Sequence, residues 1–390
     1  MNTFKIAAIA TVSALALTSA AQAQDKLKIG LLTTLSGPAA ALGIQQRNGF
    51  ELALKTMGNK LGGRDVELIV QDDELKPDVA VSKAKAMVER DKVDFVVGPI
   101  FSNILIAMMK PVTDSGVFLI SPNAGTSNFA GPDCNPNLFV TSYQNDQVHE
   151  VLGKYAQDQG MKKVYLIAPN YQAGKDSLAG FKHYFKGAIA DEVYVPLGTL
   201  DYSGELAKIA AAGPDAIFAF LPGGMGVNFV KQFRQAGLAD KIKFLSAFTV
   251  DESTLPAQQD AAVGFFGGAN WAPNLDNPQN NAFVAAYEKA YNAVPASYAF
   301  QAYDAASLID SGLKATKGST ADKNALRAAM MKADFKSLRG KFKFNTNHYP
   351  IQDFYLVKVA KRADGKYETE IAQKVFTDYA DPHVKDCKMK

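Results

Sequence analysis

Several residue types that carry chemistry are scarce in this sequence. Its 390 residues include only two cysteines, four histidines and one tryptophan. Neither cysteine belongs to a cluster at metal-ligand spacing, so no metal site is expected. The net charge of +3 is too small to predict binding to nucleic acid or to an anionic membrane. Beyond residue 23 no apolar run is long enough to span a bilayer, and the composition is that of a globular protein.

Signatures of enzyme catalysis are also missing. No histidine pairs with a cysteine, and neither a Gly-x-Ser-x-Gly nor a His-Glu-x-x-His motif occurs. The four histidines are His149, His183, His348 and His383. The acidic run Asp72-Asp73-Glu74 is interpreted as a solvated turn at a strand end. We therefore expect a protein without catalytic residues, metal or cofactor, which does not act as an enzyme.

The N-terminal segment has the order of a secretory signal peptide. Lys5 precedes an apolar run from Ile6 to Ala20, and Ala21-Gln22-Ala23 supplies the small residues of a cleavage site. A membrane anchor is the alternative, but the run is shorter than the roughly 20 residues that a spanning helix needs. The sequence predicts cleavage after Ala23 and a periplasmic mature protein.

The two cysteines, Cys134 and Cys387, would meet an oxidising compartment after export. An even pair in that setting favours a disulfide, which would pin the C-terminal tail to a distant segment. Two free thiols are the alternative.

Short apolar strands alternate with amphipathic helices along most of the chain. Leu27–Thr33, Asp65–Gln71, Val93–Val97 and Val117–Ile120 are predicted strands, with helices at about 44–57, 77–90 and 102–115 between them. The same rhythm restarts after Asn145, with predicted strands at Lys163–Ala168, near Val193, and at Ala216–Phe220, Phe244–Ala247 and Val263–Gly267. Repeated βα units predict an α/β fold with parallel sheets, here in two Rossmann-like lobes.

The last third completes these lobes rather than forming a third. Three predicted helices lie at 281–292, 298–317 and 322–333, and three predicted antiparallel strands lie at 341–344, 354–360 and 371–376. Lobe 1 is then 24–141 plus 272–346, and lobe 2 is 142–271 plus 347–390. The chain would cross between them near 140–143, 270–273 and 345–349. Three crossing segments make a hinge that can open and close.

Ligands of open parallel sheets lie beyond the carboxyl ends of the strands, so the loops there are the candidate site. In lobe 1 these loops contain Ser36, Leu42, Ser102, Asn123, Ala124, Gly125 and Thr126. Their short donors could bind a carboxylate without a fixed positive charge. The alternatives are a flexible turn around Ser36, a helix cap at Ser102 and a Ser/Asn-rich turn after Ser121.

In lobe 2 the equivalent loops contain Tyr171, Phe220, Pro222, Phe248 and Thr249. Each aromatic residue alone is typical of a core. Their recurrence at strand ends favours a flat apolar pocket.

Taken together, these motifs resemble the type I periplasmic binding proteins, the Leu/Ile/Val-binding-like family of ABC importers. The resemblance covers about residues 27–359. It is carried by Ile29-Gly30, Leu35-Ser36-Gly37-Pro38, Val97-Gly98-Pro99 with Ser102, Ser121-Pro122-Asn123-Ala124 and Tyr303-Asp304-Ala305. It implies a monomer that delivers a small molecule to ABC transporter permease subunits.

The resemblance also implies roles for individual residues. Ser102, Ala124 and Thr126 match positions that bind a solute carboxylate, and Tyr171 matches a tyrosine that closes the pocket. Pro222 and Tyr298 match aromatic contacts of amino-acid binders.

One departure from the amino-acid binders concerns the ligand ammonium. Those proteins hold the ammonium with an acidic residue, and the matching position of this sequence is Phe248. Asp251 comes later in the same loop and could cap a helix. An unpaired buried ammonium is costly. The chain thus looks more like the aromatic-acid-binding branch, which Thr141–Asp146 and the paired cysteines also match. A branched-chain or other hydrophobic amino acid remains the alternative ligand, and an exported enzyme or sensor domain the alternative class.

Overall fold

A computed structural model describes residues 26–389; the predicted signal peptide and its cleavage point after Ala23 lie outside this range. Its first sheet has six strands in the order β2-β3-β1-β4-β5-β6, parallel except for the β2–β3 pair. These strands are β1 Leu27–Thr33, β2 Lys60–Leu61, β3 Arg64–Asp72, β4 Phe95–Val97, β5 Phe118–Ser121 and β6 Leu138–Val140. The apolar run of β1 is almost wholly buried, as expected of a central parallel strand.

Helices from two distant parts of the chain cover this sheet. They are α1 Ala40–Thr56, α2 Pro77–Glu89, α3 Ser102–Thr113 and α4 Ser127–Ala130, together with α10 Pro278–Tyr291, α11 Ser297–Ala315 and α12 Lys323–Met331. The α11 helix packs closely on α1, because a Cβ at Gly49 would lie only 2.0 Å from the Ala299 carbonyl oxygen. Its side chains Leu308 and Ile309 share one apolar core with Phe95 and Phe118 of the sheet. The late helices therefore complete the first lobe, as predicted.

The second sheet has eight strands in the order β12-β13-β11-β10-β9-β7-β8, with β14 paired to β13. Its strands are β7 Lys163–Pro169, β8 Ala188–Val195, β9 Ala216–Ala219, β10 Lys243–Ser246, β11 Phe266–Ala269, β12 Lys343–Phe344, β13 Pro350–Lys361 and β14 Tyr367–Tyr379. Strands β7 to β11 pair in parallel, and β12 to β14 join in antiparallel pairs. The helices of this lobe are α5 Gln147–Asp158, α6 Gln172–Tyr184, α7 Ser203–Ala212, α8 Gly224–Gln235 and α9 Leu255–Gln258.

Some element boundaries differ from the sequence prediction. Helix α1 begins at Ala40 rather than Ile44, because Gly37–Ala39 already forms a 3₁₀ turn that leads into it. Strand β11 begins at Phe266 rather than Val263, since Gly264 adopts a φ of 88° in a turn. Asp73 is fully buried rather than solvated, where its Oδ1 accepts a hydrogen bond of 2.7 Å from the Thr34 hydroxyl.

The chain passes between the sheets between β6 and α5, between β11 and α10, and between α12 and β13, close to the predicted crossings. All three segments meet at the carbonyl oxygen of Ser142. This oxygen accepts hydrogen bonds from Asn270 Nδ2 at 3.0 Å, Arg339 Nη1 at 3.0 Å and Gln352 Nε2 at 2.7 Å. The exact residues at which lobe 1 ends and lobe 2 begins, as given in the sequence analysis, remain a prediction. Strand β12, placed in lobe 1, pairs with β13 while Phe344 packs in the first lobe's core.

A buried ion pair holds this hinge. Arg339 and Asp304 have side chains that are 2% and 0% exposed, and Arg339 Nη2 lies 3.1 Å from Asp304 Oδ2. Arg339 also donates hydrogen bonds to the carbonyl oxygen of Thr141 and, at 2.6 Å, to Gln352 Oε1. Arg339 therefore links the third crossing to the first crossing and to α11.

The C-terminal tail returns from the second lobe to the first. Its 3₁₀ turn Pro382–Asp386 packs on α4, and Cys387 forms a disulfide with Cys134. The predicted bridge is thus present in the structure. Within residues 26–389, no helix has both the length and the apolar character that a membrane crossing requires.

Reduction of this disulfide is expected to lower the free energy of unfolding by about 2–4 kcal/mol, because the bond closes a long loop in the unfolded chain. The measurement is urea-induced unfolding with and without dithiothreitol. A Cys134→Ser/Cys387→Ser variant serves as the control and should not respond to the reductant. An equal response of both proteins would show that the reductant acts elsewhere.

Candidate functional site

A narrow cavity of about 20 Å³ lies between the two lobes at the carboxyl ends of their parallel strands. This space has room for about one water molecule, so a larger ligand requires the lobes or the wall side chains to move. The walls combine polar and aromatic residues from both lobes and from the first crossing. They are Leu42, Ile100, Phe101, Ser102, Asn123, Ala124, Tyr143, Asn145, His149, Tyr171, Ala173, Phe220, Pro222, Phe248 and Tyr298.

A chain of hydrogen bonds leads to Ser102 on one wall of the cavity. The amide nitrogen of Asn145 donates to Ser102 Oγ at 3.2 Å and to Asp176 Oδ2 at 2.9 Å. Both hydrogens of that amide are then engaged, so Ser102 accepts at this contact. Its own hydroxyl hydrogen can donate to a ligand oxygen.

Ser102 is the first residue of α3 rather than its cap. Phe101 occupies the N-cap position and offers no side-chain hydrogen bond to the helix. The first backbone N–H groups of α3 consequently have no capping side chain. An uncapped helix N-terminus favours a bound anion through its free donors and its dipole. The alternative of Ser102 as a helix cap is therefore wrong.

The loop after β5 is held rigidly beside Ser102. Asn123 Nδ2 donates to the Ile100 carbonyl at 2.7 Å, and the Tyr143 hydroxyl donates to Asn123 Oδ1 at 3.1 Å. The Ser121 hydroxyl donates to the Ala124 carbonyl at 2.7 Å. The side chain of Asn123 is thus occupied by the protein, and it shapes the wall more than it offers donors.

Aromatic rings form the remaining walls. Tyr143 and Phe248 stack with centroids 5.4 Å apart and an interplanar angle of 19°. Phe248 also lies 5.9 Å from Tyr298, while Tyr171 stacks on Phe220 at 6.3 Å. Rings in these arrangements present flat apolar faces, which suit a planar ligand.

The cavity carries no fixed positive charge, since none of the lining residues of the described chain is a lysine or an arginine. Burial lowers the pKa of the His149 imidazole to about 3, so this residue is neutral near pH 7. Burial raises the pKa of the Tyr171 hydroxyl far above its usual range. Any bound carboxylate would therefore be held by neutral donors and dipoles.

Asp251 lies outside this cavity. It faces a separate small space beside Glu252, and its Oδ1 accepts a hydrogen bond of 2.8 Å from the backbone N–H of Ser253. Its carboxyl group interacts with the hydroxyl of Tyr298, a residue that does line the cavity. Burial raises the pKa of Asp251 to about 6. This acid therefore lies behind the aromatic wall rather than in contact with the cleft.

Nine of the thirteen residues predicted to bind the ligand line the cavity. They are Leu42, Ser102, Asn123, Ala124, Tyr171, Phe220, Pro222, Phe248 and Tyr298. Their contact with a ligand stays a prediction. What the structure adds is that these residues, from loops far apart in sequence, surround one space.

The other four predicted residues do not line it. Ser36 is exposed, ahead of the 3₁₀ turn. Gly125 is packed so tightly that a Cβ would lie 1.9 Å from the Tyr143 carbonyl oxygen. The Thr126 side chain caps α4 by accepting a hydrogen bond from the Phe129 N–H. The Thr249 hydroxyl accepts a hydrogen bond from the Leu221 N–H and donates one to the Ala219 carbonyl, both at 2.9 Å.

Six lining residues were not among the predicted ones. They are Ile100, Phe101, Tyr143, Asn145, His149 and Ala173. Tyr143 and Asn145 lie in the run Thr141–Asp146, which the sequence connects with a crossing and with the family resemblance but not with the ligand. The sequence did offer one signal for these two residues. Polar residues are concentrated in this crossing between the lobes, and such a crossing borders the cleft. Nothing in the sequence distinguishes His149 from a core histidine.

The lobes touch directly at the mouth of the cavity. The turn at Gly223–Gly224, where α8 begins, lies against Pro38 and Ala39 of the first lobe. A Cβ at Gly224 would be 2.8 Å from Pro38 Cβ and 3.0 Å from Pro38 O. Small residues here let the lobes close on each other.

Two α/β lobes, a three-segment hinge and a cavity between the lobes define a protein that closes around a small ligand. The comparisons identify the family: residues 26–366 match the model for periplasmic binding protein, and the chain belongs to this family. It is 30% identical to Leu/Ile/Val-binding protein homolog 6 of Brucella melitensis biotype 1, over 97% of this chain and 98% of that relative.

Solved structures of solute-binding proteins share the fold. A solute-binding protein of an ABC transporter from R. palustris, in complex with benzoate, is 33% identical with a TM-score of 0.88, covering 93% of this chain and 100% of that one. One from Rhodopseudomonas palustris BisB5, in complex with 3,4-dihydroxybenzoic acid, is 32% identical with a TM-score of 0.87, covering 92% and 99%. The family resemblance and the type I fold predicted from the sequence are confirmed.

Proposed function

We propose that this protein is the periplasmic solute-binding component of an ABC importer and that it captures a small aromatic carboxylate between its lobes. In this proposal it is exported by the cleaved signal peptide, acts as a monomer without catalysing a reaction, and passes the ligand to permease subunits. The observation that carries the proposal is the cavity's polarity. Uncharged donors around Ser102 lie on one wall, and stacked aromatic rings form the others.

The carboxylate would bind where Ser102 begins α3. The Ser102 hydroxyl and the free N–H groups of the first turn supply donors, and the Asn145 amide orients the hydroxyl. The ring would lie between the aromatic walls formed by Tyr143 with Phe248 and Tyr171 with Phe220. The benzoate and 3,4-dihydroxybenzoic acid bound to relatives of 33% and 32% identity support this ligand class.

The position of Asp251 argues against an amino acid as the ligand. An ammonium group enclosed in the cavity would need a carboxylate partner, and the cavity lining given above contains no acid. Asp251 does not line that space and borders a separate one. Because relatives of this chain are named Leu/Ile/Val-binding proteins, any test of the ligand must also include amino acids.

A thermal-shift screen tests the ligand class, since a ligand stabilises the folded state by mass action. Benzoates and phenylpropanoids should raise the melting temperature, and leucine, isoleucine and valine should not. The opposite pattern would overturn the aromatic-acid proposal in favour of an amino-acid binder.

Replacing Ser102 by alanine is expected to weaken benzoate binding by at least about 10-fold, since the lost hydrogen bond is to a charged group. Calorimetric titration provides the affinity. Ser203→Ala is a matched control, because Ser203 is also the first residue of a helix but is exposed on α7, away from the cavity. Equal affinities of both variants would remove Ser102 from the proposed carboxylate site.

A further inference from the structure

His149 stands out among the cavity residues by a nitrogen without a partner. It lies on α5, lines the cavity and is 2% exposed. Its Nδ1 atom is buried and makes no hydrogen bond within the described chain. A polar atom left unpaired in a protein interior destabilises the fold, so such atoms are rare and call for an explanation.

The other three histidines all have partners for a ring nitrogen. His348 Nδ1 lies 2.9 Å from the Leu138 carbonyl, His183 Nδ1 lies 2.6 Å from Glu150 Oε1, and His383 Nε2 lies 2.8 Å from Asp146 Oδ2. His149 thus differs from every other histidine of the chain in this respect, and it is also the only one of the four on the cavity wall. Among the four histidines, the one with an unpaired Nδ1 atom is therefore also the one that lines the cavity.

The surroundings of His149 are apolar. Its ring packs edge-to-face with the rings of Phe218 and Phe220, with centroids 5.6 Å and 5.0 Å apart. Phe220 is itself part of the aromatic wall. A neutral imidazole in this position brings one donor and one acceptor but no charge. Each ring nitrogen either donates or accepts, depending on the tautomer, and a hydroxyl group can serve as the partner in either case.

We propose that His149 recognises a hydroxyl substituent on the aromatic ring of the ligand through its imidazole ring, which has no hydrogen-bond partner for Nδ1 within the described chain. This inference rests on the proposed function and narrows its ligand class to hydroxylated aromatic acids. The ligand hydroxyl completes the hydrogen bonding of the imidazole, while the carboxylate is held at Ser102. An unsubstituted ring leaves the imidazole unpaired and binds more weakly.

The test is calorimetric titration of the intact mature protein with benzoate, 3-hydroxybenzoate, 4-hydroxybenzoate and 3,4-dihydroxybenzoate. The wild-type protein should bind at least one hydroxylated acid about 10- to 100-fold more tightly than benzoate. His149→Phe keeps a flat ring among Phe218 and Phe220 but removes the nitrogen. It should abolish this preference, so that the four acids bind to the variant within about threefold of one another. His149→Asn, which retains a polar atom near the Nδ1 position, should restore part of the preference.

Benzoate serves as the internal control for folding, because a variant that still binds benzoate has an intact cavity. If His149→Phe weakens all four acids equally, or leaves the hydroxyl preference unchanged, the assignment of His149 is wrong while the aromatic-acid function stands. If the wild-type protein binds amino acids and none of the four aromatic acids, the proposed function fails and this inference fails with it. If benzoate binds as tightly as every hydroxylated acid, His149 does not select for a hydroxyl.

Discussion

Asp304→Ala is expected to lower the free energy of unfolding by about 3–5 kcal/mol, the usual cost of removing one partner from a buried ion pair. The variant leaves the Arg339 guanidinium enclosed with only neutral acceptors, at the carbonyl groups of Thr141 and Ser142 and at Gln352 Oε1. Urea-induced unfolding of the ligand-free protein, followed by circular dichroism, provides the measurement.

Two further variants distinguish the cost of losing the ion pair from the general cost of replacing an aspartate by alanine. Asp158→Ala removes an exposed pair with Lys154 on α5 and should cost at most about 0.5 kcal/mol. Asp304→Ala combined with Arg339→Met removes both buried charges, and it should recover part of the loss because no unpaired charge remains. If Asp304→Ala costs no more than Asp158→Ala, the pair does not hold the hinge.

Gly224→Trp is expected to weaken ligand binding by about 100-fold or more. Even a Cβ at this position would lie 2.8 Å from Pro38 of the opposite lobe, so an indole ring must hold the lobes apart. The cost falls on the closed state alone, and the apparent dissociation constant rises as that state becomes less populated. Titration with benzoate measures the loss.

Gly204→Trp is the matched control for this variant. Gly204 also lies in the first turn of a helix, and a Cβ there would meet nothing within 4 Å. Both variants should melt at the wild-type temperature without ligand, because the clash exists only across the closed cleft. An unaltered affinity for Gly224→Trp would show that ligand binding does not require the lobes to meet at Pro38.

The sequence predicted those parts of the site that depend on local pattern. Apolar runs marked the strands, and the rule that ligands lie beyond their carboxyl ends located Ser102, Tyr171 and Phe220. Each of these residues follows its strand closely along the chain. Where a single strand and its loop define the position, local periodicity is sufficient.

Residues whose position depends on long-range contacts could not be predicted in this way. Arg339 and Asp304 are 35 residues apart, and their pairing follows only from the packing of the hinge. Phe248 lines the cavity from a backbone with a φ of 61°, a conformation that nothing in its side chain favours. Thr126 resembled a ligand donor in sequence, but its hydroxyl caps α4. Short polar residues serve turns and ligands equally well, so their type alone does not separate the two roles.

The disulfide between Cys134 and Cys387 also determines how the molecule would respond to a protease. The two cysteines are 253 positions apart, and the chain between them includes all three crossings of the hinge. The bond turns this stretch into a covalent ring. A single cut in any crossing would open the ring without releasing a fragment, so a nicked molecule would migrate as one species until a reductant was added. The two pieces of the chain would remain joined through the cysteines, while the two uncut crossings would still connect the lobes.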